Sequence, residues 1–116
     1  MLAVIFEVEP NAEGKAEYLA IAAELREFSS GIDGFISIER FQSLVDEKRI
    51  LSLSFWRDEA SIQQWRNLME HRLAQGKGRD RLFDNYRIRV AEVVRDYGMD
   101  SREQAPGDSR SALEKN

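Results

Sequence analysis

Few side chains in this sequence can exchange protons or electrons near neutral pH: one histidine, His71, two tryptophans, three tyrosines and no cysteine. His71 is the natural candidate base, since an unperturbed imidazole titrates at about 6.5; a lone helical histidine on a solvated surface is the alternative. It belongs to a polar stripe, Gln64, Asn67, His71 and Gln75, that recurs at helical spacing beside Trp65 and Leu68. Uncharged hydrogen-bonding groups next to a flat apolar ring suit an aromatic ligand, and a water-facing helix surface fits the same pattern. Trp65 reads both as core and as a stacking platform, whereas Trp56, at the end of a strand-like run, reads as packing or a contact between subunits. Arg40, Arg87 and Arg89 could hold an anionic substrate oxygen, with Arg87 the candidate taken forward; the alternative is surface pairing with Glu7, Glu39 or Glu92.

The absence of cysteine excludes disulfides, thiolate catalysis, iron–sulfur ligation and cysteine-ligated zinc. With a single histidine little else can bind a transition metal; Asp/Glu sites for a hard cation stay open, but no loop has the Asp-x-Asp-x-Asp-Gly pattern, so metal catalysis is not expected. Seventeen basic against 21 acidic residues leave a net charge of -4, so no overall basic field recruits nucleic acid or an anionic membrane surface. No apolar run approaches the ~18–20 residues that span a bilayer, and the first seven residues lack the basic start of a signal peptide. A cytoplasmic location is the expectation.

The elements that must position these side chains follow from periodicity. Residues 2–8 alternate as a strand does, with Pro10 closing the run. From Asn11 to Ser30 the period becomes helical: Tyr18, Ile21, Ala22, Leu25, Phe28 and Ile32 form one stripe, with Asn11 as N-cap and Gly31 as stop. Phe35–Ser43 and Lys48–Arg57 read as a hairpin, and Asp58 caps a second helix that carries Ile62, Trp65, Leu68, Met69 and Leu73 inward and ends near Gly76-Lys77-Gly78. Tyr86 to Tyr97 reads as the last strand. Residues 1–97 thus make one α+β domain, and residues 98–116, almost devoid of apolar side chains, a polar and flexible C-terminal tail.

Strand, helix, strand, strand, helix, strand is the ferredoxin-like β-α-β-β-α-β order, with a four-stranded antiparallel sheet and both helices on one face. The other face carries its own apolar set. In the third strand Leu51, Leu53 and Phe55 point one way, and Ile50 and Trp56 the other with Ser52 and Ser54; in the second, Ile36 and Ile38 are set against Phe35 and Phe41. Two helices cover one face only, so a homodimer through the exposed sheet face is expected.

The run Ser52-Leu53-Ser54-Phe55-Trp56-Arg57-Asp58-Glu59, continuing through Trp65-Arg66-Asn67 to Glu70-His71-Arg72, resembles the antibiotic biosynthesis monooxygenase family. There a strand ends in Trp, an acidic turn follows, and a helix carries a second Trp with a His/Arg/Gln-rich continuation. Gly34-Phe35-Ile36-Ser37, Glu39-Arg40 and Tyr86-Arg87-Ile88-Arg89-Val90 extend the resemblance over roughly residues 2–97. It implies a dimeric α/β barrel with a pocket between helices and sheet in each subunit. It also implies an oxygenase needing neither metal nor flavin, which makes quinones from electron-rich polycyclic phenols. Trp65 then matches the pocket Trp, and His71 stands six residues later, where the family commonly has a proton-handling Tyr. Two positions depart: Ser61 replaces the family's pocket Asn, and Gln75 stands where the haem-degrading branch places an iron-ligating His.

The combined expectation is a cofactor-independent monooxygenase acting on a small aromatic phenol or quinone-type compound. Trp65 stacks on it, His71 accepts its proton, Ser61 or Asn67 bonds its oxygens, Arg87 offers a cation, and Tyr18, Ile21 and Leu25 exclude water. A non-catalytic dimeric small-molecule holder of the same fold is the competing class, and a structural dimer with a filled interior the third.

Overall fold

The computed structural model describes residues 1–75 and 82–114. Its elements are β1 (Leu2–Pro10), α1 (Lys15–Ser29), β2 (Phe35–Gln42), β3 (Ile50–Trp56), α2 (Glu59–Gln75), β4 (Phe83–Glu92) and α3 (Gly107–Glu114). The strands form one antiparallel sheet in the order β2-β3-β1-β4, the expected ferredoxin-like arrangement. The expected stop at Gly76-Lys77-Gly78 lies outside the described residues.

Alternation decides which side of each strand the helices cover. Val4, Phe6 and Val8 of β1 and Ile50, Ser52, Ser54 and Trp56 of β3 are buried beneath them. Ile5, Leu51, Leu53 and Phe55 stay half-buried on the open face. In β2 simple alternation fails, because the register shifts between Phe35 and Ser37. That bulge puts Phe35 and Ile38 on the helix side, Phe35 with its ring 5.3 Å from Trp56, and leaves Ile36 exposed.

Several boundaries move for local reasons. The last strand begins at Phe83 and ends at Glu92 rather than Tyr97, since its partner β1 starts at Leu2, opposite Glu92. Val93 still donates its N–H to the carbonyl of Met1, but Val94 and Tyr97 lie beyond the ladder and are exposed. The first helix starts at Lys15, not after Asn11. Asn11 instead accepts the Gly14 N–H on its side-chain oxygen at 2.6 Å, which folds residues 11–14 into a turn. A Cβ on Gly14 would come within 2.6 Å of the Leu82 backbone, so only glycine permits this approach. Phe28, expected inside, is 57% exposed; Ser29 takes the inward slot and donates its hydroxyl to the Leu25 carbonyl.

Beyond Gly98 the chain, expected as a flexible tail, carries local order. Arg102 lies 5.3 Å from the centre of the Tyr97 ring and donates to the Gly98 carbonyl, Ala105 is buried, and α3 follows. α3 has no substantial packing against the sheet or the other helices. The radius of gyration is accordingly 17.0 Å, against the roughly 13 Å of a compact domain of this length. No helix among the described residues is long and apolar enough to cross a membrane.

Candidate active site

Between α1, α2 and the covered sheet face lies an apolar concavity. Phe6 of β1, Tyr18, Ile21, Ala22 and Leu25 of α1, Ile38 and Arg40 of β2, Ser52 of β3, Trp65 and Leu73 of α2 and Phe83 of β4 line it. It spans about 390 Å³ counted out to its open side, though only about 30 Å³ of it is unobstructed, room for a water or two. Trp65 packs edge-on against Phe6 and tilts against Trp56, with ring centres 6.2 Å apart in both pairs. Tyr18 packs edge-on against Phe83.

Polar groups in this lining are few. The indole N–H of Trp65 is buried and has no hydrogen-bond partner among the described residues, an arrangement that costs about 1–3 kcal/mol unless an acceptor arrives. Burial pushes the Tyr18 phenol above its ordinary pKa, and the nearby Arg40 guanidinium partly offsets this. Arg40 itself is half-buried and makes no salt bridge with any described residue. Neither carboxylate nor imidazole lines the concavity.

The expected site residues divide accordingly. Trp65, Tyr18, Ile21 and Leu25 come together in the concavity; His71, Asn67, Ser61 and Arg87 do not. His71 and Asn67 are exposed, together with Gln64 and Gln75, because the face of α2 that packs inward is that of Ile62, Trp65, Met69 and Leu73. Gln75 accepts from Arg72, which also bridges to Glu24 of α1. Arg87 stands opposite Glu7 on the open sheet face, and Arg89 on that face pairs with Glu7 at 3.4 Å. Of the three arginines considered together in the sequence, only Arg40 faces the helices, in register with buried Ser52.

Ser61 is buried but serves the framework. Its hydroxyl lies 2.7 Å from both the Asp33 carbonyl and Asp58 Oδ1, and its backbone N–H donates to the same Asp58 oxygen. Asp58 thereby caps α2 as the sequence suggests. The Ser61 bonds, with help from Arg57, hold the Asp58 carboxyl down to about 2. Arg57 also grips Asp33 with two bonds of 3.1 Å, which lowers the Asp33 pKa. Gly34 completes this corner at φ 94°, and any Cβ on it would overlap Ser61 Oγ.

Among the described residues, no three His, Cys, Asp or Glu side chains gather where they could hold a metal ion. Phe6, Ala22, Ile38, Ser52, Leu73 and Phe83 also line the concavity, although sequence reasoning did not name them as site residues. Alternation in β1 and β3 marks Phe6 and Ser52 as facing the same way as Trp56; no local signal gives the depth at which each side chain meets α1.

The profile of the antibiotic biosynthesis monooxygenase family matches residues 1–77. The chain belongs to that family. A fungal protein named "Jasmonate monooxygenase ABM", from Pyricularia oryzae, is 48% identical over 94 residues, 81% of this chain. The chain spans only 44% of that fungal protein's length. The uncharacterized protein YqjZ of Bacillus subtilis is 30% identical over 93 residues, covering 80% of this chain and 79% of its own. Among solved structures, Rv0793 from Mycobacterium tuberculosis superposes with a TM-score of 0.72 at 16% identity, covering 84% of this chain and 98% of the other. SnoaB, a cofactor-independent oxygenase from Streptomyces nogalater, does so with 0.66 at 11% identity, covering 82% and 94%. At these identities the two structures speak for the fold alone, and the family assignment rests on the profile and the closer sequence relatives.

Proposed function

We propose that the protein is a monooxygenase that takes a small, largely apolar and readily oxidised molecule, a phenol or activated carbonyl compound, into the concavity beneath Trp65. The observation that supports this most is the concavity itself: an apolar recess lined in part by Trp65, whose buried indole N–H has no acceptor among the described residues. The fungal relative's name makes jasmonate a compound to test beside anthrone-type phenols. The oxygenase step needs no bound redox group when the substrate supplies the electrons. An ionised substrate passes one electron to dioxygen, and the resulting radical pair joins as a carbon–oxygen bond. Loss of water from the peroxide leaves a carbonyl where a CH₂ stood, so one dioxygen is consumed and one water released. Tyr18, Ile21 and Leu25 keep bulk water from the intermediates. Side chains around the recess must give way to admit a ring, because the unobstructed space is about 30 Å³.

The half-buried open face of Ile5, Leu51, Leu53 and Phe55 supports a homodimer formed sheet to sheet. Oxygen uptake with anthrone, hydroquinones and jasmonate, followed by product mass, tests the proposal. Substrate-dependent uptake abolished by Trp65→Ala is expected, and inertness across the panel sinks it. A non-catalytic holder is the second reading, favoured by the lack of any carboxylate or imidazole in the lining; recovery of unchanged ligand after binding would support it.

A further inference from the structure

An arginine in an apolar recess calls for a partner. Arg40 is the one charged residue among eleven lining the concavity, and it has no counter-ion among the described residues. Its row of the sheet explains why. Across the ladder it faces Ser52, and its neighbours in the lining are Ile38, Tyr18 and Phe6, none of which carries a negative charge. The acidic residue beside it in sequence, Glu39, pairs with Leu53 and so faces the opposite side of the sheet. Half-buried Arg40 keeps its hydrogen-bonding capacity for an incoming group, and a guanidinium that meets an anionic oxygen forms hydrogen bonds about twice as strong as neutral ones. On the helix side of the same recess Trp65 buries an N–H that has no acceptor among the described residues. Both unanswered groups are donors, and no carboxylate or imidazole lines the recess.

We infer that the concavity is a monoanion site: it takes an apolar ring or chain bearing one ionised oxygen group, with that oxygen held by the Arg40 guanidinium and the Trp65 N–H. This rests on the proposal that the concavity is the substrate site, and it deepens that proposal by stating the substrate's charge. It also accounts for the placement of His71. A site that selects the already ionised molecule, and lowers its pKa through Arg40, needs no internal base, so the sole histidine can lie outside. The anionic oxygen can belong to a carboxylate or to an ionised phenol or enol, and the two sources are separable by probe.

The test uses the full chain and two probe sets. Calorimetry compares 1-naphthaleneacetate with its neutral primary amide, which has nearly the same shape. Absorbance follows 4-nitrophenol at a pH near its own pKa, where the coloured phenolate band reports ionisation of the bound molecule. The expected result is roughly tenfold tighter binding of the acid than the amide, or growth of the phenolate band as protein is added. Preference for the acid alone assigns a carboxylate, and growth of the phenolate band alone assigns a phenolate. Arg40→Gln removes either signature, Arg40→Lys restores part of it, and Trp65→Phe weakens it while the ring remains; circular dichroism confirms that each variant is folded. Equal binding of acid and amide with no growth of the band overturns the inference and leaves the concavity standing as a neutral-ligand site. A signature that survives Arg40→Gln also overturns it. Absence of binding by all three probes removes the concavity as a ligand site, and both proposals fall together.

Discussion

Replacing Gly34 by alanine tests whether Ser61 belongs to the framework rather than to ligand binding. Gly34 holds φ 94°, a conformation that costs an L-residue about 1–2 kcal/mol. The new methyl would also overlap Ser61 Oγ and sit 3.0 Å from Ser61 Cβ, so the hydroxyl must leave its place. Ser61 then forfeits its bond to the Asp33 carbonyl, worth about 1 kcal/mol, and its support of the Asp58 cap weakens, a further ~0.5–1 kcal/mol. The expected loss is about 3 kcal/mol, a large share of the ~5–15 kcal/mol that holds most domains folded. Urea unfolding at unchanged m reads it. Ser61→Ala alone should cost about 1–2 kcal/mol, yet add little on top of Gly34→Ala because the same bonds are already gone, giving a coupling energy of about 1 kcal/mol. Naphthaleneacetate binding by folded Ser61→Ala should match wild type. A Gly34→Ala variant within 0.5 kcal/mol of wild type, or strict additivity in the double mutant, would refute the clash and the shared bonds.

Other outcomes follow from the same geometry. Trp65→Ala opens a void among Phe6, Trp56 and Leu73 and should cost about 3–5 kcal/mol in urea melts, well beyond any surface change. His71→Ala and Asn67→Ala, both on the exposed face of α2, should stay within about 0.5 kcal/mol of wild type and leave oxygen uptake unaltered; a large loss of turnover would bring that face into the chemistry. Leu53→Glu, on the half-buried open sheet face, should turn a dimer into a monomer in sedimentation, and a wild-type monomer at micromolar concentration would remove the dimer itself. Asp58 titrates at about 2 when folded against 3.8 ordinarily. Its contribution is therefore complete above that ordinary value and lost as the pH falls through about 2. Asp58→Asn should abolish this part of the acid dependence, as followed by thermal melts across that range.

Much of the scaffold is written in local sequence. Alternation in β1 and β3 names the buried side of each strand, because side chains on a pleated chain take turns whatever lies above them. The Tyr18, Ile21 and Leu25 stripe names the inner face of α1, and Asp58 before a helical run announces its cap, since the bonds that satisfy a helix start come from within three residues. The order of elements and the two tryptophans around the Asp58-Glu59 turn carry the family. The polar stripe of α2 was equally visible, but periodicity gives only the angle between His71 and Trp65, not which of the two faces another element.

Tertiary structure decided the site. Whether Arg40, Arg87 and Arg89 converge depends on the register of four strands and on a bulge at Phe35 and Ser37, and no window of sequence contains both edges of the sheet. The ladder puts Arg87 and Arg89 with Glu7 on one side and leaves Arg40 alone among apolar side chains on the other. Ser61 took its role from Gly34, 27 positions earlier in the chain, a closeness that exists only once β2 lies beside β3. The sequence by itself determined the order of the four strands and two long helices, the buried sides of β1, β3 and α1, and the family. Only the packed structure determined which polar groups end up buried without a partner, because that depends on what every other segment brings to the same place.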